Sequence, residues 1–260
     1  MVSYISSKEN KTAKLIRQLK KKSIREKTGQ FVAEGRKIVL EALKYVPQNV
    51  ICIVVSDEFC EKEADILAQL SNFCGNVYRV PQNLFAELSD TDTPQGVLAV
   101  LTIPENSFVP DSKTDSIIIL DKISEPGNMG TVIRTAEALG YDAIYLMQGC
   151  TDIYSPKTVR STMGSLFRMN FKANCTAEDI LSLKELGFSV VATTPAGNTV
   201  LETFEASPKT AVVIGNEAHG VSDEILQMAD YRVKISMDGM AESLNAAVAA
   251  GIVMHWLKSC

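Results

Sequence analysis

Ile119-Leu120-Asp121-Lys122-Ile123-Ser124-Glu125-Pro126-Gly127-Asn128-Met129-Gly130-Thr131-Val132-Ile133-Arg134-Thr135-Ala136-Glu137-Ala138-Leu139-Gly140 decides the fold. An apolar run reads as a strand and ends in a loop with two glycines and an asparagine. Apolar residues at helical spacing follow, with Arg134 one turn inside the helix. Helix N-termini at the ends of parallel strands attract anions, and an arginine there can grip phosphate. The same residues also fit an ordinary βα turn, with Arg134 on the surface and Gly140 closing the helix. No GxGxxG is present, so a dinucleotide site lacks its main support.

Outward from this stretch, strand and helix patterns repeat. Ser116–Asp121, Ala143–Met147, Ser189–Thr193, Ala211–Gly215 and Tyr231–Ser236 read as continuous apolar strands, the texture of a parallel sheet covered on both faces. Helices are expected over Met129–Leu139, Pro156–Leu166, Ala177–Leu186, Asp223–Met228 and Ser243–Leu257. Upstream, Val32–Tyr45, Glu61–Leu70 and Pro81–Leu88 read as helices, and Val50–Ser56, Val77–Val80 and Gly96–Leu101 as strands. Residues 103–112 hold two prolines and little periodicity. The expectation is an α/β protein with domains at 1–105 and 115–260 and a linker at 106–114.

Two further segments end strands in polar loops. In Ala211-Val212-Val213-Ile214-Gly215-Asn216-Glu217-Ala218-His219-Gly220-Val221-Ser222, the two glycines have P-loop-like separation. Val221-Ser222 stands where Lys and Ser/Thr would follow, which rejects a Walker A site. In residues 233–254 a strand ends in a loop, and a helix of small and apolar residues starts at Ser243. Such a helix suits a subunit interface or a fully buried C-terminal position.

Composition sets the outer bounds. The 260 residues are 46% hydrophobic, 22% charged and 7% aromatic, which excludes a disordered or low-complexity chain. No apolar run reaches the roughly 18 residues of a membrane helix, and no signal-peptide core is present. Six cysteines without a CxxC pair, with only two histidines, argue against structural zinc and for a reducing cytoplasm. Residues 1–40 carry eleven Lys/Arg against three Glu, a surplus of +8, while the remainder carries −13. A basic head on an acidic body points to a polyanionic partner, nucleic acid ahead of a membrane surface. Leu15, Ile16, Leu19 and Ile24 give that head an apolar stripe, expected as one basic helix.

Taken together, the chain resembles the SpoU (TrmH-like) family of RNA ribose 2′-O-methyltransferases within the SPOUT class. The family's blocks appear in order as Asn128-x-Gly130-x-x-x-Arg134, Gly215-Asn216-Glu217-x-x-Gly220 and Ser243-Leu244-Asn245, with Ser155-Pro156-Lys157-x-x-Arg160-x-x-x-Gly164 between the first two. Departures are Ala218-His219 at a frequently glycine-rich pair and Ser236 where proline often precedes the methionine. Phe31-Val32-Ala33-Glu34-Gly35 and Asp92-Thr93-Pro94-Gln95-Gly96 are similar to the L30e-like substrate-binding domain of many members.

The resemblance implies a C-terminal α/β deep trefoil knot, a homodimer through that domain, and S-adenosylmethionine bound by three loops. The cofactor residues it implies are Thr193, Thr194, Pro195, Ala196, Gly215, Asn216, Gly220, Ile235, Met237, Leu244 and Asn245. Arg134, Asn128, Glu217, Ser243 and Asn245 are the implied catalytic set. Because guanidinium stays protonated, Arg134 is expected to clamp the adjacent phosphate and polarise the hydroxyl. Lys14, Arg17, Lys21, Arg25 and Arg36 of the head are expected on RNA phosphates, with Lys157 and Arg160 on the route to the pocket. Large-subunit (23S) rRNA is the favoured substrate; tRNA, or an inactive RNA-binding protein, are the alternatives. No metal and no membrane are expected, and the place of action is the cytoplasm.

Overall fold

A computed structural model describes residues 2–73 and 76–259; Cys74 and Cys260 lie outside them. The first elements are β1 (Val2–Tyr4), α1 (Lys11–Gln18), α2 (Lys22–Thr28), β2 (Gln30–Glu34), α3 (Arg36–Tyr45), β3 (Val50–Ser56), α4 (Asp57–Lys62), α5 (Ala64–Phe73), β4 (Val77–Val80), α6 (Gln82–Leu88) and β5 (Val97–Thr102). Then follow β6 (Ser116–Leu120), α7 (Pro126–Ala138), β7 (Ala143–Met147), α8 (Pro156–Ser161), β8 (Asn170–Cys175) and α9 (Ala177–Glu185). The chain closes with β9 (Ser189–Thr193), β10 (Thr199–Val200), β11 (Thr210–Ile214), α10 (Asp223–Met228), β12 (Tyr231–Lys234) and α11 (Ala246–Ser259). Two compact units result, Met1–Glu105 with Asp152–Phe167, and Asn106–Thr151 with Arg168–Cys260.

The first unit is a mixed sheet in the order β1-β4-β3-β5-β2, with β5 antiparallel to both neighbours. The segment expected as one helix over Val32–Tyr45 splits into β2 and α3. Phe31 and Ala33 are buried on one face of β2 while Val32 is half-buried, a period of two. Gly35 then turns the chain at φ 107°, a value that β-carbon-bearing residues rarely adopt. The basic head is likewise two short helices. Asn10 caps α1 by accepting from the Thr12 amide at 2.8 Å. Ala13, Ile16 and Leu19 bury against Leu84, Phe85 and Leu88 of α6. Glu61–Leu70, read as one helix, is broken at Glu63 between α4 and α5.

Residues 152–167, which the sequence places in the second domain, pack within the first unit. The Arg25 guanidinium is 3% exposed and donates to Asp152 Oδ2 at 2.6 and 2.9 Å and to the Leu19 and Lys20 carbonyls at 2.7 and 2.9 Å. Phe31 and Tyr154 pack with ring centroids 4.8 Å apart and planes tilted by 49°. Gly164, at φ 97°, lies where an added Cβ would meet the Glu41 side chain at 2.8 Å.

The second unit is a seven-stranded sheet, parallel throughout, in the order β10-β12-β9-β11-β6-β7-β8. β6 and β11 are buried along their whole lengths, as continuous apolar runs require. One face packs Ile117, Ile119, Val190, Val213 and Tyr145 against Ile180 and Leu183 of α9 and Ile225 of α10. Alternation puts Ile118, Leu120 and Val212 on the other face, where α11 packs on α7 and β11. β8 escapes the sequence pattern because its run Asn-Phe-Lys-Ala-Asn-Cys carries edge-strand polarity; β10 is two residues long. The last helix starts at Ala246, three residues later than expected. Asn245 caps it, its Oδ1 accepting from the Ala247 and Val248 amides at 2.9 and 3.3 Å.

Candidate active site

β6 and β11 are neighbours, so the loops leaving their C-terminal ends lie side by side, the usual place for a ligand in an open α/β sheet. Hydrogen bonds zip the two loops together. Asp121, buried at the end of β6, accepts from the Ser222 amide at 2.7 Å. Asn216 donates its side-chain amide to the Lys122 carbonyl at 2.7 Å. Its Oδ1 accepts from the Ala218 and His219 amides at 2.9 and 3.1 Å, while its backbone exchanges two 2.9 Å bonds with Gly220. The result is a tight loop in which a Cβ on Gly215 would lie 2.2 Å from Gly220 carbon and Val221 nitrogen. Only glycine fits there.

Glu217 projects from this loop onto the N-terminal end of α7. Its Oε2 accepts from the Ser124 hydroxyl at 2.8 Å and amide at 3.2 Å; its Oε1 accepts from the Glu125 amide at 3.2 Å and Asn128 Nδ2 at 3.0 Å. Partial burial opposes ionisation, but donation from Asn128 and Ser124 outweighs it and holds the carboxyl at about 2. Glu217 is a fixed anion at neutral pH, saturated with donors, and is not a proton acceptor. Asn128 Oδ1 in turn accepts from Asn245 Nδ2 at 3.1 Å. One line of hydrogen bonds thus joins all three sequence blocks and ends at the cap of α11.

Beside this line lies a cavity of about 400 Å³ built from three strand ends. Thr193, Thr194 and Pro195 line it after β9; Gly215, Asn216, Glu217 and Gly220 after β11; Ile235, Met237, Ser243 and Leu244 after β12. Ala196 and Asn245, also expected at the cofactor, do not line it; Asn245 faces a neighbouring depression with Asn128. Asp223, Leu226, Ala246 and Ala249 line the cavity without having been singled out. Leu226 and the two alanines sit on amphipathic helices, where nothing local separates a pocket wall from a core position. The first wall is shaped by Gly197, where a Cβ would lie 2.7 Å from the Arg232 oxygen and Val233 carbon. Among the described residues, no cluster of three His, Cys, Asp or Glu side chains is placed to hold a metal ion, and no helix is long and apolar enough to cross a membrane.

Arg134 stands exposed on α7 and makes neither a hydrogen bond nor an ion pair among the described residues. Of the expected RNA contacts, Lys21 and Lys157 are exposed, while Lys14 pairs with Glu9 at 2.6 Å and Arg17 with Glu87 at 3.5 Å. Arg36 pairs with Glu63 at 3.1 Å and Arg160 with Asp90 at 3.1 Å, pairs that open to water and can yield to phosphate. Arg25 is a correction: at 3% exposure and committed to Asp152 and the Leu19 and Lys20 carbonyls, it is out of reach of an RNA phosphate.

Comparison with known proteins agrees with this geometry. The SpoU rRNA Methylase family model matches residues 115–255, and the MRM3-like substrate binding domain model matches residues 10–99. The 23S rRNA (guanosine(2553)-2′-O)-methyltransferase RlmP of Bacillus subtilis is 34% identical over 98% of both chains. The crystal structure of an AdoMet-bound rRNA methyltransferase from Sinorhizobium meliloti superposes with a TM-score of 0.84 at 31% identity, covering 99% of this chain and 98% of that one. AviRb, a SpoU methyltransferase of Streptomyces viridochromogenes in complex with AdoMet, gives 0.83 at 25% identity over 96% and 98%. The chain belongs to the SpoU rRNA methylase family and carries an MRM3-like substrate-binding domain ahead of its methylase domain.

Proposed function

We propose that this chain transfers the methyl group of S-adenosylmethionine to a ribose 2′-hydroxyl of 23S rRNA. The observation that carries the reading is the hydrogen-bonded line Glu217–Asn128–Asn245 running past a three-loop cavity. The cavity's volume suits a nucleoside-sized ligand, its walls mix aliphatic side chains with backbone groups of strand ends, and Gly215 and Gly197 leave that backbone bare. Bound there, the cofactor supplies an electrophilic sulfonium methyl. Thr193, Thr194 and Pro195, the Gly215–Gly220 loop, and Ile235, Met237 and Leu244 would hold it.

Methyl transfer would break the S–C bond, form the O–C bond and release the hydroxyl proton to solvent, so the protein's task is alignment of the ribose oxygen and stabilisation of the charge it develops before that proton leaves. Arg134, unpaired and exposed, is available to a phosphate of the incoming RNA and polarises the adjacent hydroxyl. Asn128 keeps one amide hydrogen beyond the Glu217 bond, and Asn245 likewise keeps one beyond Asn128, so both can donate to the ribose. Ser243 also lines the cavity. The exposed lysines and the yielding pairs of the first unit, Lys14, Arg17, Lys21, Arg36, Lys157 and Arg160, would take RNA phosphates.

A homodimer through the methylase domain belongs to the same reading. Val248 and Ile252 of α11 are 52% and 41% exposed on the face that also carries Gly251, beside Asn128 and Asn245. A trefoil knot, with the chain after the last strands threaded through a loop, and action in the cytoplasm complete the reading. The test of the chemistry is to digest RNA methylated from labelled cofactor to nucleosides. Label on a 2′-O-methylribose is expected, and label on a base overturns the ribose assignment. Light scattering tests the dimer: the native chain should run as a dimer and V248E/I252E as a monomer.

A further inference from the structure

We infer that Ser124 is a positioning residue for methyl transfer, holding Glu217 so that the Asn128 carboxamide keeps its oxygen toward Asn245. This rests on the methyltransfer reading above. Ser124 lies outside the family blocks and is exposed at the end of a loop, where a serine is ordinarily a solvated surface residue. Its contacts say otherwise. Both donors on Glu217 Oε2 come from Ser124, the hydroxyl at 2.8 Å and the amide at 3.2 Å.

The direction of the whole line depends on that anchor. A carboxylate only accepts, so Glu217 Oε1 demands the Nδ2 side of Asn128 and turns Asn128 Oδ1 outward. At the far end, the Ala247 and Val248 amides demand Asn245 Oδ1, which leaves Asn245 Nδ2 to donate to Asn128 Oδ1. The two constraints agree, and each asparagine has one orientation. If Glu217 rotates away, Asn128 loses the charged partner that, among the described residues, distinguishes its two orientations, and the hydrogens it presents are no longer fixed. The neighbouring backbone is constrained, since Pro126 opens α7 and keeps Glu125 in the extended region, the conformation in which the Ser124 and Glu125 amides meet the Glu217 carboxylate.

The test is single-turnover methyl transfer to 23S rRNA by the full-length chain, with cofactor affinity measured separately by calorimetry. S124A should lower the rate about fivefold, the scale of one lost hydrogen bond, with cofactor affinity unchanged. S124T, which restores a hydroxyl, should recover most of the rate. In an E217Q background S124A should have no further effect, since the anchor then has no carboxylate to hold. Equal losses in both backgrounds, a parallel fall in cofactor affinity, no recovery by S124T, or no loss at all would each overturn the inference. If the wild-type chain methylates no ribose, the function reading fails, and the anchor is then judged by carbon-13 NMR of the Glu217 carboxyl. That signal should begin to titrate at higher pH in S124A than in wild type; coincident curves would overturn the anchor itself.

Discussion

Gly215 offers the sharpest structural test, because two glycines in one loop differ in why they are glycine. A methyl group on Gly215 would sit 2.2 Å from Gly220 carbon and Val221 nitrogen, both backbone atoms. Restoring ordinary contact needs a displacement of about 1 Å, and packed structure resists such overlap at about 1–3 kcal/mol. The loop cannot yield alone. Moving Gly220–Val221 strains the paired Asn216–Gly220 bonds, the Asp121–Ser222 bond and the Glu217 contacts with α7. Gly220 is different: its φ is 68° and nothing lies within 4 Å of an added Cβ, so alanine there costs only the left-handed backbone, about 1 kcal/mol. G215A should therefore lose roughly 3–10 °C in Tm and about tenfold or more in S-adenosylmethionine affinity, about 1.4 kcal/mol. G220A should lose less of both. Differential scanning fluorimetry and titration calorimetry read the two quantities. Cofactor affinity in G215A equal to wild type, or a larger loss in G220A, would refute the claim that this close approach shapes the cavity.

Three other outcomes follow from the same geometry. R134A should lower kcat by about two orders of magnitude, as loss of a transition-state donor does, while cofactor affinity holds because Arg134 does not line the cavity; a parallel fall in affinity would move Arg134 into the cofactor site. D152A should destabilise the chain by about 3 kcal/mol in chemical denaturation, since it leaves the buried Arg25 charge without its carboxylate. Glu217 is held at about 2 against an ordinary 4.5, so its stabilising contribution is complete above about 4.5 and is lost as pH falls toward 2. E217Q should accordingly flatten the acid limb of a stability-pH profile, and an unchanged limb would contradict the bond set.

Much of this was legible in the residues. β6, β9 and β11 are continuous apolar runs that end at polar or glycine-bearing loops and could be read directly, whereas β12, Tyr-Arg-Val-Lys, buries only Val233 and is a strand without that texture. Gly215 and Asn128 were legible only as members of the family's blocks; the 2.2 Å approach that excludes a side chain at Gly215 and the seat of Asn128 in the first turn of α7 are tertiary facts. What escaped depends on tertiary partners. Arg25 looks like any cation of the basic head until Asp152, far along the chain, is packed against it. The strand Gln30–Glu34 looks helical because α3 follows it directly and shares its apolar texture. Ser124 carries no local signature, since its importance lies in a carboxylate more than ninety residues away. Asn245 reads as the interior of a helix, yet it is the cap, because its side chain takes the first free amides of α11.

The most direct measurement is methyl transfer from labelled S-adenosylmethionine to separated, unmodified 23S rRNA, 16S rRNA and tRNA, with nuclease mapping of the label. The account predicts a single 2′-O-methylated ribose in the 23S fraction, formed about a hundredfold more slowly by R134A. Label confined to tRNA or 16S rRNA would contradict the substrate, and label on a base in any fraction would contradict the chemistry.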